Sequence, residues 1–244
     1  MKRTAAFSSR TAKEILRDPI NLAFGLGFPV ILLLLLSAIQ ANVPVSLFEI
    51  KSLSPGIAVF GLSFMTLFSA QLIAKDRGSS LLQRLYTTPL TPLDFILCYT
   101  LPLLPMSIVQ TVICFAVAVP LGLDLSTNVL LAIIFIIPTA WLNISIGLLC
   151  GSLFTDKQVG GICGALLTNL TAWLSGIWFD LNLVGDAFKK IAYMLPFVHS
   201  VEIERAAVNG NYSDILPHLF WVLGYAAVLT VIAIYAFLRQ MKKQ

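Results

Sequence analysis

Six long apolar stretches constrain this chain more than any other feature. They run from about Ile20 to Ile39, Pro55 to Ala74, Phe95 to Val119, Val129 to Cys150, Val159 to Ile177 and Pro217 to Leu238. Each is close to the roughly 20 residues that an α-helix needs to cross about 30 Å of hydrocarbon. Only 11% of the residues are charged and 58% are hydrophobic, whereas soluble domains carry about 25% charged residues. A soluble fold of 244 residues has no interior large enough for that much apolar surface, so much of it faces lipid. Backbone in lipid must satisfy its hydrogen bonds internally, which leaves helices or a closed barrel. The stretches are continuous rather than alternating, so the expected fold is an all-α polytopic membrane protein with six transmembrane helices.

The basic residues orient this arrangement. Lys2, Arg3, Arg10, Lys13, Arg17, Lys75, Arg77, Arg84, Lys157, Arg239, Lys242 and Lys243 fall on one side. Only Lys51, Lys189, Lys190 and Arg205 fall on the other. Basic residues concentrate on the cytoplasmic side, so both termini are expected there, in a bacterial cytoplasmic (inner) membrane. The first apolar run is long enough to span, and no cleavable leader is expected. The formal charge of +4 is scattered over short segments, which argues against a nucleic-acid face. The cysteines Cys98, Cys114, Cys150 and Cys163 lie in or beside apolar runs without metal-ligand spacing and read as small apolar side chains.

The whole chain, 1–244, reads as a single transmembrane domain. Residues 1–19 form a basic, mildly amphipathic helix at the cytoplasmic interface, with Phe7, Ile15 and Leu16 among Arg10, Lys13 and Arg17. Spans one and two occupy 20–74, spans three to five 95–177, span six 217–238, and 239–244 is a cytoplasmic tail. Between spans two and three, 75–94 contains a short helix that Ser79 or Ser80 caps and Thr88-Pro89 breaks. Thr91-Pro92-Leu93-Asp94 then starts the next helix. The connection 178–216 is too short and too polar to span twice, and fits a re-entrant outer segment buried against protein. Asn209-Gly210 marks a stop within it.

Two motifs resemble one family. Lys75-Asp76-Arg77-Gly78, Leu82-Gln83-Arg84-Leu85 and Thr87-Thr88-Pro89-Leu90-Thr91-Pro92 resemble the loop between spans two and three of type-2 ABC exporter permeases. Ser175-Gly176-Ile177-Trp178-Phe179, Tyr193-Met194-Leu195-Pro196-Phe197 and His199-Ser200-Val201-Glu202 with Arg205 are similar to that family's segment after span five. The family often has Glu where Asp76 stands, and a proline soon after the position of Phe179, where this chain has Asp180. The resemblance implies a permease that pairs with a second permease chain, as homodimer or heterodimer, and docks on two copies of a separate ABC ATPase. ATP and Mg would be bound there. The chain has no G-x-x-x-x-G-K-[ST] loop, so it cannot cradle ATP phosphates by that route, and no cofactor is expected on it.

Candidate residues follow from these readings. Leu81, Leu85 and Tyr86 are expected to enter the ATPase, with Asp76, Arg77 and Arg84 as a charged rim and Asp156 and Lys157 as a second contact. Phe60, Phe64 and Phe68 recur at i, i+4, i+8 in span two with Gln71 nearby, and Asn169 and Trp173 are one turn apart in span five. They are the candidate substrate path. Gly147-x-x-x-Gly151 and Gly160-x-x-x-Gly164 suit close helix packing, within one chain or between two. Pro29, Pro102, Pro105 and Pro138 are expected to kink their spans. His199, Glu202, Glu204 and Arg205 lie at helical spacing, where an ion-pair cluster fits better than a catalytic or metal site, and His218 reads as interfacial. A secondary transporter would bury titratable groups in its spans, and an intramembrane enzyme needs a nucleophile–base pair or metal cluster. Neither is visible, so no catalytic or metal residue is assigned. The expected activity is ATP-driven export of an amphipathic or hydrophobic substrate: a drug, lipid or lipid-like natural product. Export of a lipid-linked glycan, or passive conduction without an ATPase, fits the same architecture.

Overall fold

The computed structural model describes residues 2–43, 45–79 and 92–241, which are almost entirely helical and include no strand. The amphipathic α1, Lys2–Leu16, buries Phe7 and Ile15 and lies against the start of α4. Among the described residues, five helices are long and apolar enough to cross a membrane: α2 (Pro19–Asn42), α3 (Ile50–Gly78), Ile96–Leu121 within and just beyond α4 (Pro92–Ala118), α5 (Thr127–Leu153) and Tyr212–Gln240 within α9 (Tyr212–Met241). The remaining expected stretch is helical over residues 156–174, here α6, but wide π-helical turns occupy Gly160–Leu167 in its middle. Two shorter helices, α7 (Asp186–Met194) and α8 (Pro196–Asn209), precede α9.

Local chemistry explains the boundaries. Asp18 caps α2 by accepting the Asn21 N–H at 3.1 Å, with Pro19 in the first turn. Pro29 has no N–H to donate to the preceding turn, and α2 widens to π geometry over Ala23–Gly27 just before it. The helices α4 and α5 run through Pro102, Pro105 and Pro138 without a break. Gly210 ends α8 at φ +78°, where the Asn211 N–H reaches back to the Ala206 carbonyl at 2.9 Å. α3 starts at Ile50, before the expected Pro55. Its first turns carry Lys51, Ser52 and Ser54, which hide the helix from a purely apolar reading.

Burial ranks the helices. Of the most apolar part of α3, 89% is buried, against 22% for α2 and for α9. So α3 is an interior helix, while α2 and α9 present most of their surface outward. α5 is the hub, packing on α9, α3, α4 and α8. Small residues and short polar side chains make that packing close. A Cβ on Gly147 would overlap Ser69 Oγ and the Thr66 carbonyl, and one on Gly151 would lie 2.5 Å from the Ala70 carbonyl. The Thr66 hydroxyl donates to the Asn143 carbonyl at 2.9 Å, the Ser69 hydroxyl to the Ile144 carbonyl at 3.2 Å, and Ser145 and Thr230 hydroxyls meet at 2.8 Å. Such contacts hold helices together where lipid supplies no hydrophobic drive.

Candidate functional site

A groove of about 770 Å³ opens between α2, α3 and α6. Its wall is aromatic and continuous. Phe24 stacks beside Phe64 (6.4 Å between ring centres), Phe28 meets Phe64 edge-on (5.7 Å), Phe64 meets Phe60 (6.2 Å), and Phe60 meets Trp178 (5.8 Å). Edge-to-face contacts of this kind add about 0.5–1.5 kcal/mol each beyond burial, so the wall is stiff. Across from it α6 presents Asn169 and the half-exposed Trp173. The polar lining is sparse: Asn21, Thr168 and Asn169. Asn169 donates to the Ala165 carbonyl at 2.8 Å, which leaves its amide oxygen for another donor.

Four of the six residues expected along a substrate path, Phe60, Phe64, Asn169 and Trp173, line this groove. Phe68 and Gln71 do not. Phe68 is buried behind the wall, its ring 2.6 Å from where a Cβ on Gly25 would stand. Gln71 accepts the Asn21 side-chain N–H at 2.9 Å. The groove also holds residues that sequence spacing did not single out: Phe24, Phe28 and Trp178. Phe24 and Phe28 stand at i, i+4 on α2, a spacing the sequence does offer, whereas Trp178 comes from the separate stretch after α6.

The glycine pairs divide. Gly147 and Gly151 form the seam between α5 and α3 of one chain. Gly160 and Gly164 border the groove, where a Cβ on Gly160 meets nothing within 4 Å and one on Gly164 meets only Leu67 methyls at 3.5 Å and 3.6 Å. The glycines of α6 therefore keep its surface low rather than closing a seam within the chain.

The Gly78 end of α3 is tied on two sides. Asp76 is buried, and Arg10 of α1 grips its carboxylate through both terminal nitrogens, each at 2.9 Å. The Tyr99 hydroxyl of α4 donates to the same carboxylate at 2.8 Å. Such a fork-like pairing is among the stronger hydrogen-bond arrangements. The Asp76 carboxylate in turn holds the Arg10 guanidinium above its ordinary pKa. Arg77 points the other way and donates to the carbonyls of Gly151 (2.7 Å) and Phe154 (3.3 Å), at the end of α5. Positive charge at a helix C-terminus is favourable. Both side chains thus face the chain's own helices, not outward as a rim. Asp156 and Lys157 are exposed on the next turn, which starts where Gln158 accepts the Thr155 N–H at 3.0 Å. Leu81, Arg84, Leu85 and Tyr86, with the short helix expected there, lie outside the described residues.

The segment 178–216 is organised by Arg205. It pairs with Glu202 at 3.2 Å and donates to the carbonyls of Gly176 (3.1 Å) and Ser52 (3.3 Å), joining α8 to the end of α6 and the start of α3. Asp180, in the family's proline position, caps the turn Leu181–Leu183 by accepting the Asn182 N–H at 2.9 Å. The expected four-residue cluster does not form as one unit. His199 turns to His218, and Glu204 points into the helix packing, fully buried with neither oxygen hydrogen-bonded. Burial alone pushes the Glu204 carboxyl well above the usual range, so it is held neutral. Among the described residues, no three His, Cys, Asp or Glu side chains stand close enough to hold a metal.

Comparison with known proteins bears on this geometry. Residues 3–208 match the family model described as ABC-2 type transporter. No curated protein matches the chain.

Proposed function

Because the chain belongs to the ABC-2 type transporter family, and so is a multi-pass membrane permease of the ABC class, we propose that it exports an amphipathic or hydrophobic substrate with energy from a separate ATPase. Permeases of this family generally work with ABC ATPase subunits. The observation that carries the substrate class is the groove: an aromatic wall, a few amides and no charged lining residue. A groove reached from lipid gains little by burying an acyl chain, since the chain is already out of water. Selection there must come from ring contacts and single hydrogen bonds. Drugs, lipids and lipid-like natural products carry that chemistry, and a glycan would need more donors and acceptors.

In this reading α6 is the sixth span, both termini are cytoplasmic, the chain is one domain in a bacterial inner membrane, and 178–216 dips into the outer leaflet. Two permease chains, identical or not, combine with two ATPase copies that bind ATP and Mg. Leu81, Leu85, Arg84 and Tyr86 engage the ATPase, with Asp156 and Lys157 alongside. Asp76 and Arg77 act at the base of that segment. Their ties to α1 and to the end of α5 support a rigid footing, so a push on 80–91 is shared by three helices.

The test is reconstitution. Vesicles holding the permease and its ATPase should move a fluorescent phospholipid or amphipathic dye only with ATP. Joint replacement of Phe64 and Trp173 by Ala should lower transport several-fold while ATPase binding persists. Leu81→Asp with Leu85→Asp should release the ATPase with membrane insertion intact. Transport at full rate without ATP or ATPase would refute the reading.

A further inference from the structure

The two histidines of the chain meet at the outer end, on different helices. His199 of α8 is buried, and its Nδ1 lies 2.6 Å from Nδ1 of His218 on α9. Its Nε2 lies 2.9 Å from the Tyr193 carbonyl of α7. A carbonyl only accepts, so His199 Nε2 carries a hydrogen. A neutral imidazole has one such hydrogen, which makes His199 Nδ1 the acceptor and His218 Nδ1 the donor. The protons of the pair are therefore fixed by one backbone carbonyl. The chain α9–His218–His199–Tyr193–α7 ties three helices together.

The pair has one place for an added proton and no second. A proton on His218 Nε2 leaves the Nδ1–H donor in place and the contact intact. Once His218 is charged at both nitrogens, a second proton, on His199 Nδ1, sets two N–H groups against each other across 2.6 Å. Trp221 stacks on the His199 ring, centres 5.2 Å apart and planes within 2°. An indole face favours a cation, yet two donors cannot share that distance, so charging both rings must part them. We propose that the His199–His218 pair is an acid-sensitive latch that holds the outer helix pair α7–α8 on α9 and opens when a second proton charges both rings.

The surroundings agree. Burial lowers the pKa of His199, which keeps it neutral at ordinary pH. On α8 the nearby charges are Glu202 and Arg205, paired with each other, while Glu204 is buried and neutral. From α7 come Tyr193, edge-on to His199, and Lys189, which donates to Asn182. From α9 come Asp214 and Tyr225, whose hydroxyl donates to the Met194 carbonyl at 2.7 Å. His218 borders an outer cleft with Glu49, Asp180, Glu202 and Asp214, so protons reach the pair from that side. The latch also reaches the groove: Phe188 of α7 packs on Phe179 (6.2 Å), and Phe179 lines the groove beside Trp178.

Trp221 of α9 reports on the latch directly, because opening withdraws the His199 ring from its indole face and changes its emission. The permease in lipid nanodiscs would be titrated from about pH 8 to about pH 4.5, with Trp221→Phe giving the Trp221 share by difference. The proposal expects that share to change reversibly by roughly half, with a midpoint below the ordinary histidine pKa of about 6.5. Hydrogen exchange over 186–209, corrected for its intrinsic pH dependence, should quicken over the same step. His199→Gln should abolish the optical step, and His218→Phe should leave α8 fast-exchanging at every pH. Histidine ring NMR on the unmodified protein reads the same protonation where a variant does not fold. A flat Trp221 signal with unshifted His199 resonances, or a His199 protonation step with unchanged exchange of 186–209, would overturn it.

Discussion

Replacing Asp76 by Asn, Arg10 by Gln, and both together isolates the tie between α1 and α3. The Asp76 side chain is 5% exposed and that of Arg10 40%. Removing one member of a fully buried ion pair costs about 3–5 kcal/mol, and an exposed pair contributes about 0–1 kcal/mol. The two bonds at 2.9 Å are charge-assisted, each worth about 1.5–3 kcal/mol when screened from water. With one partner reaching solvent, and with Glu14 also holding Arg10 at 3.0 Å, the coupling energy should be about 2 kcal/mol. If α1 exchanges by detaching from α3 and α4, that energy raises its opening constant about 30-fold in Asp76→Asn. Hydrogen exchange of residues 2–16 in nanodiscs is the measurement. Arg10→Gln should give nearly the same acceleration, and the double variant little more than either, because they share one interaction. Additive single effects, or coupling below about 0.5 kcal/mol, would mean that α1 is held by Phe7 and Ile15 packing and that the carboxylate is incidental.

Two further outcomes are expected from the seams and the buried acid. Gly147→Val should destabilise the protein strongly, by at least the roughly 1–3 kcal/mol typical of overpacking, because its side chain meets Thr66 backbone. Gly160→Ala, with open space at its Cβ, should leave the melting temperature unchanged or slightly raised. Equal effects on thermal unfolding would contradict the assignment of the two glycine pairs. Glu204 binds a proton in the folded state that the unfolded chain has lost above about pH 4.3. Stability should therefore fall by about 1.4 kcal/mol per pH unit as pH rises above that point, for as long as the folded carboxyl stays neutral. Glu204→Met should remove this slope and raise the melting temperature most at neutral pH. An unchanged slope would show that Glu204 has a partner in the folded protein.

What the sequence made legible was whatever depends on neighbours in the chain. Long apolar runs announced the helices, and Asn209-Gly210 announced the end of α8. Phe60 and Phe64 shared a face as their spacing suggested, but each i, i+4 step drifts about 40° around a helix, so Phe68 sits about 80° from Phe60. That places it behind the wall. Asp76 reads from sequence as part of a charged rim on the ATPase contact, since its partner Arg10 is 66 positions away and no local pattern links them. His199 and His218 were hidden for the same reason: a turn and the start of another helix separate them. The π-helical middle of α6 was also unmarked, although Gly160, Gly161 and Gly164 are residues that favour the α-helix least among non-prolines.

The two walls of the groove differ in mechanical kind, and this decides where its width can change. α3 is bound to α5 by glycine contacts too close for a Cβ, by the Thr66 and Ser69 hydrogen bonds, and at its base by Arg77 on the Gly151 and Phe154 carbonyls. Separating them would strand buried polar groups in a medium without water, each at a cost of several kcal/mol. Among the described residues, α6 makes no such bonds to α3 along the groove: its glycines meet open space or Leu67 methyls, and its helical turns are already irregular. α2, with 22% of its apolar part buried, touches α3 there through the Phe24 and Phe28 rings and the single Asn21–Gln71 side-chain bond. Any widening of the groove is therefore a movement of α2 or α6 against a fixed α3–α5 unit. The aromatic wall on α3 is the stationary surface along which a substrate would be passed.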